Sequence, residues 1–382
     1  MKQLTSLILL LICCIAANAN EVTYSNGTWA EIKAKAKAEH KYIMVDCYTS
    51  WCGWCKVMDK KTMPDPGVIS LVNDKFVAIR MDMEHGEGIK LAMKYHISGF
   101  PTFMYFNPNG EFVYLTMGYE EPEGFIKELN NALDAGKQFH TPGYSASIDI
   151  DFPEFYKLAF GEKRKFPETT EVTAFLDKQK DLFSEVSWGV LSKFGGGEKY
   201  DKYFFDHIEK YKKLYSNYST ENKVRAILRS KLEKAEKDND KTELAEVLKM
   251  TGEYVTDDAP NTKIDFRIDY CENTNDWDGF FDALDDHISL NGYKNAEFIN
   301  SCCWHAYGRC DDKKSLLRAC GYMDKVITTS PTYAYMDTYA ALLYKAGNLK
   351  DAETWANKAI ETGKKSGETT SSTEELLKKI KG

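Results

Sequence analysis

The chain has 382 residues, of which 43% are hydrophobic and 28% are charged. This length favours two or three domains, and the composition is that of a folded globular protein, which excludes a disordered or fibrous class. The formal net charge at pH 7 is −8. Because binding to a phosphate backbone requires a basic face, the charge argues against nucleic acid as a partner.

The first nineteen residues have the pattern of a secretory signal peptide. Lys2 gives a positive start, an apolar run follows from Leu4 to Ala17, and Ala17-Asn18-Ala19 fits the small residues that precede a cleavage site. A retained membrane anchor would need about 18 to 20 uninterrupted apolar residues, and this run is shorter. The sequence therefore predicts an exported protein, periplasmic or secreted, with cleavage near Ala19.

Residues 20–136 alternate between strand-like and helix-like patterns, which predicts an α/β domain. Thr28 and Glu31 predict a capping box at the start of the first helix. The predicted strands cover 42–47, 76–81, 102–106 and 111–115, the last two as a hairpin, and Phe125 and Leu129 mark the inner face of a closing helix.

Strand patterns nearly vanish after a predicted linker at 137–152. Residues 153–365 carry apolar side chains at helical spacing, as in segments 172–194 and 199–216, and predict an all-helical domain of the α-solenoid type. Ala306 and Ala340 are 34 residues apart, and Ala319 and Ala352 are 33 apart. That period predicts tetratricopeptide-like repeats near 298–362. A flexible spacer and a terminal helix are expected at 366–382.

The cysteine pair Cys52 and Cys55 follows a buried strand and opens a helix, which is a pattern with a known chemistry. A sulfur at a helix N-terminus is stabilised as a thiolate, so Cys52 is expected to be the exposed nucleophile. Cys55, one turn later, would be more buried and would resolve the mixed disulfide. Asp46, near the end of the apolar strand, is the candidate proton acceptor, because burial should raise its pKa.

The stretch Val45-Asp46, the motif Trp51-Cys52-Gly53-Trp54-Cys55-Lys56 and the later Gly99-Phe100-Pro101-Thr102 resemble the thioredoxin superfamily. The resemblance implies that Pro101 is cis and packs against the cysteine pair, that Phe100 offers its backbone to the substrate, and that Gly118 lies near the site. Gly53, Lys56 and Gly99 match structural positions around it. The chain as a whole resembles secreted bacterial members that carry helical C-terminal extensions.

Two departures from the family pattern limit what the resemblance implies. The dipeptide between the cysteines is Gly-Trp rather than the Gly-Pro of reducing thioredoxins, so the reduction potential does not carry over. The second helix lacks the usual mid-helix proline and is expected to end by Pro64 or Pro66. Beside the reactive sulfur, Trp51 and Trp54 are interpreted as an apolar lip for unfolded clients.

The remaining cysteines call for separate interpretations. Cys47 is expected to be a small buried side chain on the opposite face of the strand from Asp46. The five cysteines of the helical region are either buried free thiols or include a link from Cys302 or Cys303 to Cys320; these five are Cys271, Cys302, Cys303, Cys310 and Cys320. For Cys52 and Cys55, half a zinc site or a merely structural disulfide are the alternatives. No metal and no cofactor beyond the Cys52–Cys55 disulfide is predicted.

The leading hypothesis is a thiol-disulfide oxidoreductase that acts on thiols and disulfides of exported proteins, with the helices binding a client or partner. A net reductase in an oxidising compartment would also require a membrane electron donor. The alternative is an exported, non-catalytic helical-repeat adaptor whose thioredoxin-like fold is vestigial.

Overall fold

The computed structural model describes residues 20–382, so the predicted signal peptide and its cleavage site lie outside the described part. The thioredoxin-like portion contains four strands and five helices in the order α1 (Trp29–Glu39), β1 (Tyr42–Tyr48), α2 (Gly53–Lys61), α3 (Pro66–Lys75), β2 (Phe76–Asp82), α4 (Gly86–Tyr95), β3 (Thr102–Phe106), β4 (Phe112–Met117) and α5 (Pro122–Leu133). The predicted capping box is confirmed, because Thr28 Oγ1 accepts from Glu31 N and Glu31 accepts from Thr28 N. Helix α3 is an element that the sequence analysis did not predict.

The four strands form one mixed sheet in the order β2-β1-β3-β4. Strand β1 pairs parallel with β2 and antiparallel with β3, and β3 pairs antiparallel with β4 as the predicted hairpin. Asp46 on β1 is therefore aligned with Arg80 on β2 and with Phe103 on β3. The register places Asp46 and Arg80 side by side on the neighbouring strands β1 and β2.

Helices cover both faces of this sheet. One face packs Met44, Phe103 and Tyr105 against apolar residues of α2, α3 and α5, including Met58, Val72 and Leu129. Trp29 of α1 and Tyr95 of α4 contact the ring of Phe106 on the other face. Because side chains alternate along a strand, Asp46 shares the face of Met44, which α2 covers, and Cys47 lies on the opposite face.

The chain beyond α5 is helical. It contains α6 (Glu154–Lys157), α7 (Thr169–Leu176), α8 (Glu185–Phe194), α9 (Glu198–Asp206), α10 (Ile208–Asp238), α11 (Lys241–Tyr254), α12 (Ala259–Asn273), α13 (Trp277–Asn291), α14 (Ala296–Arg309), α15 (Lys313–Thr329), α16 (Tyr333–Lys345), α17 (Leu349–Ser366) and α18 (Ser371–Lys381). Segment 172–194, which has helical spacing of its apolar residues, is divided between α7 and α8, and Ser184 caps the second helix. None of the helices within residues 20–382 has both the length and the apolar character needed to cross a bilayer.

Contacts between Cα atoms divide the chain into two compact units, the first ending at Lys223 and the second running from Val224 to Gly382. The first unit contains the thioredoxin-like portion and also α6 to α9, so these helices belong with it in space. The predicted domain boundaries at 136 and 152 stay predictions.

In the second unit, α14 to α18 pack as consecutive neighbours. Every residue of the predicted 33- and 34-residue pattern is buried, including Ala306, Ala319, Ala340 and Ala352. Small residues at these positions let neighbouring helices approach closely. Most of segment 366–382 forms α18, which buries Leu376 and Ile380.

A buried lysine fastens the segment after α5 to the thioredoxin-like portion. Lys94 of α4 is 2% exposed, and its ammonium donates to the carbonyl oxygens of Ser145 (2.8 Å) and Ser147 (2.9 Å) and to the carboxylate of Glu185 on α8. Burial lowers the pKa of Lys94, and the Glu185 carboxylate opposes this effect. The Lys94 ammonium thus binds three oxygens of the predicted linker, since the hydroxyl of Ser145 also accepts from it at 3.3 Å.

Replacing Lys94 by methionine is expected to lower the free energy of unfolding by about 3–5 kcal/mol, because it leaves the Glu185 side chain, which is 11% exposed, without its counter-charge. The matched control is Lys90→Met on the same helix. The ion pair of Lys90 with Asp149 is solvent-exposed, so this variant should lower the free energy of unfolding much less. Chemical denaturation of the full chain measures both values. Equal losses for the two variants would contradict the role given to Lys94.

Candidate active site

The cysteine pair lies where β1 ends and α2 begins. Cys52 is the N-cap residue of α2, and its backbone N–H donates to the carbonyl oxygen of Thr49 at 3.2 Å. The two sulfurs form a disulfide, and Cys52 Sγ accepts a hydrogen bond from the backbone N–H of Cys55 at 3.0 Å. The unpaired N–H groups and the positive end of the helix dipole favour negative charge at this sulfur. The local geometry therefore suits a stabilised Cys52 thiolate after reduction.

Both cysteines are buried, each with 3% of its surface exposed. The expectation that Cys52 is exposed while Cys55 is more buried is wrong for this oxidised state. The disulfide and the hydrogen bond from Cys55 N hold Cys52 Sγ against the first turn of α2, which accounts for the difference.

Aromatic side chains surround the buried disulfide. Trp51 and Trp54 are each 61% exposed, which is unusual for indoles. The Trp51 ring meets the Phe100 ring edge-on with centroids 6.0 Å apart, and Trp54 lies 5.5 Å from Tyr119. The site is therefore a buried disulfide next to a rim of exposed aromatic side chains.

The peptide bond between Phe100 and Pro101 is cis, as the sequence resemblance implies. Gly118 has a φ of +96°, and its N–H donates to the carbonyl oxygen of Pro101 at 2.9 Å, which places both residues together at the end of the β3-β4 hairpin. A Cβ on Gly99 would lie 3.5 Å from Met117 Sδ, whereas one on Gly53 would meet nothing within 4 Å. Gly53 thus has no steric requirement here, and Lys56 is exposed on α2.

Asp46 is 3% exposed and has two polar partners. The Tyr24 hydroxyl donates to Asp46 Oδ2 at 2.9 Å, and Arg80 Nε lies 3.5 Å from the same oxygen. Burial raises the pKa of Asp46 to about 6, while Arg80 and the Tyr24 hydrogen bond act in the opposite direction. The predicted rise in the pKa is confirmed. Within residues 20–382 Asp46 has no hydrogen bond to either cysteine, so its part in proton transfer stays a prediction.

Three further residues at the site were not found from the sequence. Glu84, in the turn between β2 and α4, is 8% exposed and its Oε2 accepts from the indole N–H of Trp51 at 3.0 Å. Arg80 also donates from Nη2 to Asp59 Oδ2 on α2 at 2.8 Å. Tyr24 precedes the first helix, far from Asp46 in sequence. Of the three, only Arg80 could have been predicted from the sequence, because it is a charged residue within an otherwise apolar strand.

Among residues 20–382, the cysteines other than Cys52 and Cys55 form no disulfide. Cys47 and the five cysteines of the helical region are free and buried. Burial raises the pKa of Cys47 well above its ordinary value. In the part of the chain from residue 20 onwards, no group of three or more His, Cys, Asp or Glu side chains is arranged to hold a metal ion.

Replacement of Asp46 by asparagine is expected to change stability in a pH-dependent way. A carboxyl whose pKa is raised on folding stabilises the folded state fully when the pH is below its ordinary pKa of 3.8. This stabilisation is lost as the pH rises through the folded-state pKa of about 6. The variant should therefore gain about 3 kcal/mol relative to the wild type between pH 3 and pH 8. Urea unfolding at both pH values measures this gain; an Asp46→Asn effect that is the same at pH 3 and pH 8 would show that Asp46 titrates normally.

The comparisons with known proteins agree with this geometry. Residues 29–133 match the thioredoxin-like domain family. The chain is 27% identical to protein disulfide-isomerase of Zea mays over 158 residues, covering 41% of this chain and 30% of the maize protein. It is 30% identical over 117 residues to the thiol:disulfide interchange protein DsbD of Pseudoalteromonas atlantica, covering 30% of this chain and 20% of that protein.

A solved protein of Bacteroides thetaiotaomicron, provisionally named a disulphide-isomerase, is 34% identical, with a TM-score of 0.29; the match covers 31% of this chain and 97% of that one. The chain spans less than a third of the length of the two curated relatives above. The family match includes Cys52 and Cys55. Residues 29–133 of the chain form a thioredoxin-like domain.

Proposed function

We propose that this chain is a thiol-disulfide oxidoreductase that acts on the cysteines of exported proteins. The observation that carries the proposal is the Cys52–Cys55 disulfide at the N-terminus of α2, with Cys52 Sγ accepting from Cys55 N. The names of the relatives, protein disulfide-isomerase and thiol:disulfide interchange protein, support the same reaction class.

The reaction begins with the reduced pair. The Cys52 thiolate attacks one sulfur of a client disulfide and forms a bond to it. The client S–S bond breaks, and the other client sulfur leaves as a thiolate that takes up a proton. Cys52 is then joined to the client through a mixed disulfide. Cys55 loses its proton and attacks Cys52 Sγ. This restores the Cys52–Cys55 bond and releases, as a thiolate, the client sulfur that was bound to Cys52. The same steps in reverse transfer the disulfide to a reduced client.

Asp46 is the proposed acceptor of the Cys55 proton. It lies on the sheet face that α2 covers, and its pKa of about 6 leaves it ionised but basic enough to accept a proton near neutral pH. Arg80 and Tyr24 hold its carboxylate in place. Pro101 and Phe100 form the wall of the client groove, and Trp51 and Trp54 form its apolar lip.

The compartment and the partners belong to the same proposal. The N-terminal apolar pattern favours export to an oxidising compartment, periplasmic or extracellular. Net reduction of clients there would require a membrane protein that supplies two electrons, whereas oxidation or isomerisation would not. The tetratricopeptide-like helices are proposed to bind clients or a partner protein.

Trapping of mixed disulfides tests the proposal. In the full chain, Cys55→Ala should accumulate client proteins linked to Cys52, because the resolving sulfur is missing. Diagonal electrophoresis of the exported fraction under non-reducing and reducing conditions detects these adducts. The matched control is Cys47→Ala, which removes a buried free thiol and should trap nothing.

Two results would contradict the proposal. The first is the absence of any adduct with Cys55→Ala in the exported fraction. The second is adducts that persist when Cys52→Ala is added to Cys55→Ala, since the trapped sulfur would then be a different one.

A further inference from the structure

A short basic segment that follows the thioredoxin-like portion in sequence contacts the active-site rim. Residues 161–166 read Gly-Glu-Lys-Arg-Lys-Phe. Arg164 Nη2 lies 3.6 Å from Glu84 Oε1, and Glu162 Oε1 lies 3.4 Å from His85 Nε2. Because the other oxygen of Glu84 accepts from Trp51, the segment lies beside the residue that precedes Cys52.

Four cationic side chains, Lys163, Arg164, Lys165 and Lys193, lie in or beside this segment, and the carboxylates of Glu84, Glu162 and Asp82 lie around it. Lys193 of α8 is half-buried, with its ammonium 5.2 Å from the centroid of the Phe160 ring. Phe160 directly precedes residues 161–166, so this contact places the Lys193 ammonium beside the start of the basic segment. Among residues 20–382, the Lys193 ammonium has no ion-pair partner. The nearby Glu84 carboxylate is already shared between Arg164 and Trp51.

The surroundings of these cations favour a polypeptide over a small anion. Lys163 and Lys165 are exposed on either side of Arg164, and Phe166 is 61% exposed next to them. Trp51 adds a second exposed aromatic ring on the far side of Glu84. Alternating cations and exposed rings match a chain segment that carries both carboxylate and apolar side chains.

We propose that Arg164 and Lys193, with Lys163 and Lys165, form a subsite for acidic residues of the client, next to the cysteine pair. The inference rests on the proposed function and adds a client preference to it. Clients with Asp or Glu close to their target cysteine bind the rim through charge attraction, which raises the rate of productive encounter. The segment thus makes residues outside the thioredoxin-like portion part of its client recognition.

The test compares two synthetic peptides with the same intramolecular disulfide, one with two Glu beside a cysteine and the other with Gln at both positions. The full chain, with dithiothreitol as reductant, should reduce the Glu peptide with a kcat/KM about fivefold higher at low salt, the size expected for a few partly exposed charge pairs. The ratio should approach one at about 1 M salt, because screening removes the attraction.

Variants assign the preference to the subsite. Lys193→Gln should lower the Glu-to-Gln ratio towards one, and so should the double variant Lys163→Gln with Lys165→Gln. The double variant alters only exposed side chains, so it decides the question if Lys193→Gln does not fold. The control is Lys127→Gln, which removes an exposed charge from α5 and should leave the ratio unchanged.

The outcomes separate the subsite from the proposed function. Equal kcat/KM for the two peptides with the wild-type chain, or a ratio that both variants retain, overturns the subsite and leaves the oxidoreductase proposal standing. Absence of turnover for both peptides overturns the oxidoreductase proposal and the subsite with it. A ratio that falls equally in Lys127→Gln shows a general effect of net charge and also overturns the subsite.

Discussion

The active site depends on the position of Cys52 as the N-cap of α2. The strand β1 ends at Tyr48, and a short turn then directs the first-turn N–H of Cys55 at Cys52 Sγ. This hydrogen bond fills a helix position that a serine or aspartate oxygen usually occupies. The interaction that starts the helix is therefore the same one that would stabilise a thiolate. A substitution that removes this hydrogen bond is therefore expected to affect both the start of α2 and the stability of the Cys52 thiolate.

A second constraint is the burial of Asp46 on the sheet face that α2 covers. Burial alone would keep the carboxyl neutral, whereas Arg80 and Tyr24 favour the carboxylate. The balance leaves the pKa of Asp46 about two units above that of a free aspartate. At neutral pH the fold thus carries a buried charge that lowers its stability, and that charge is also the base the proposed reaction requires. Such a cost is typical of functional sites.

Local patterns in the sequence account for the centre of the site. The strand, the Cys-x-x-Cys spacing and the helix start are contiguous, so periodicity and capping rules predict their arrangement, and the resemblance adds the cis bond at Pro101. The contacts that were missed join residues far apart in the chain, such as Tyr24 with Asp46, Glu84 with Arg164, and Lys94 with Glu185. No local pattern encodes these pairs, because each depends on how whole elements pack. The buried state of Cys52 was missed for a related reason, since the disulfide fixes the sulfur in a way that the spacing alone does not reveal.

The same long-range contacts explain why residues beyond α5 belong to the first unit. Lys94 and Arg164 connect the thioredoxin-like portion to segments that the sequence presents as a linker and as the start of a separate helical domain. The thioredoxin-like portion is thus extended by the segments that follow it in the sequence. The extension brings basic and aromatic side chains to the rim of the cysteine pair.

The central claim is that α2 stabilises Cys52 as a thiolate, and the rate of Cys52 alkylation as a function of pH tests it most directly. The reduced full chain is treated with iodoacetamide from pH 4 to pH 10, and modification of Cys52 is followed by mass spectrometry. The account predicts a Cys52 pKa at least one unit below the free-cysteine value of about 8.5. A Cys52 pKa at or above 8.5 would contradict it.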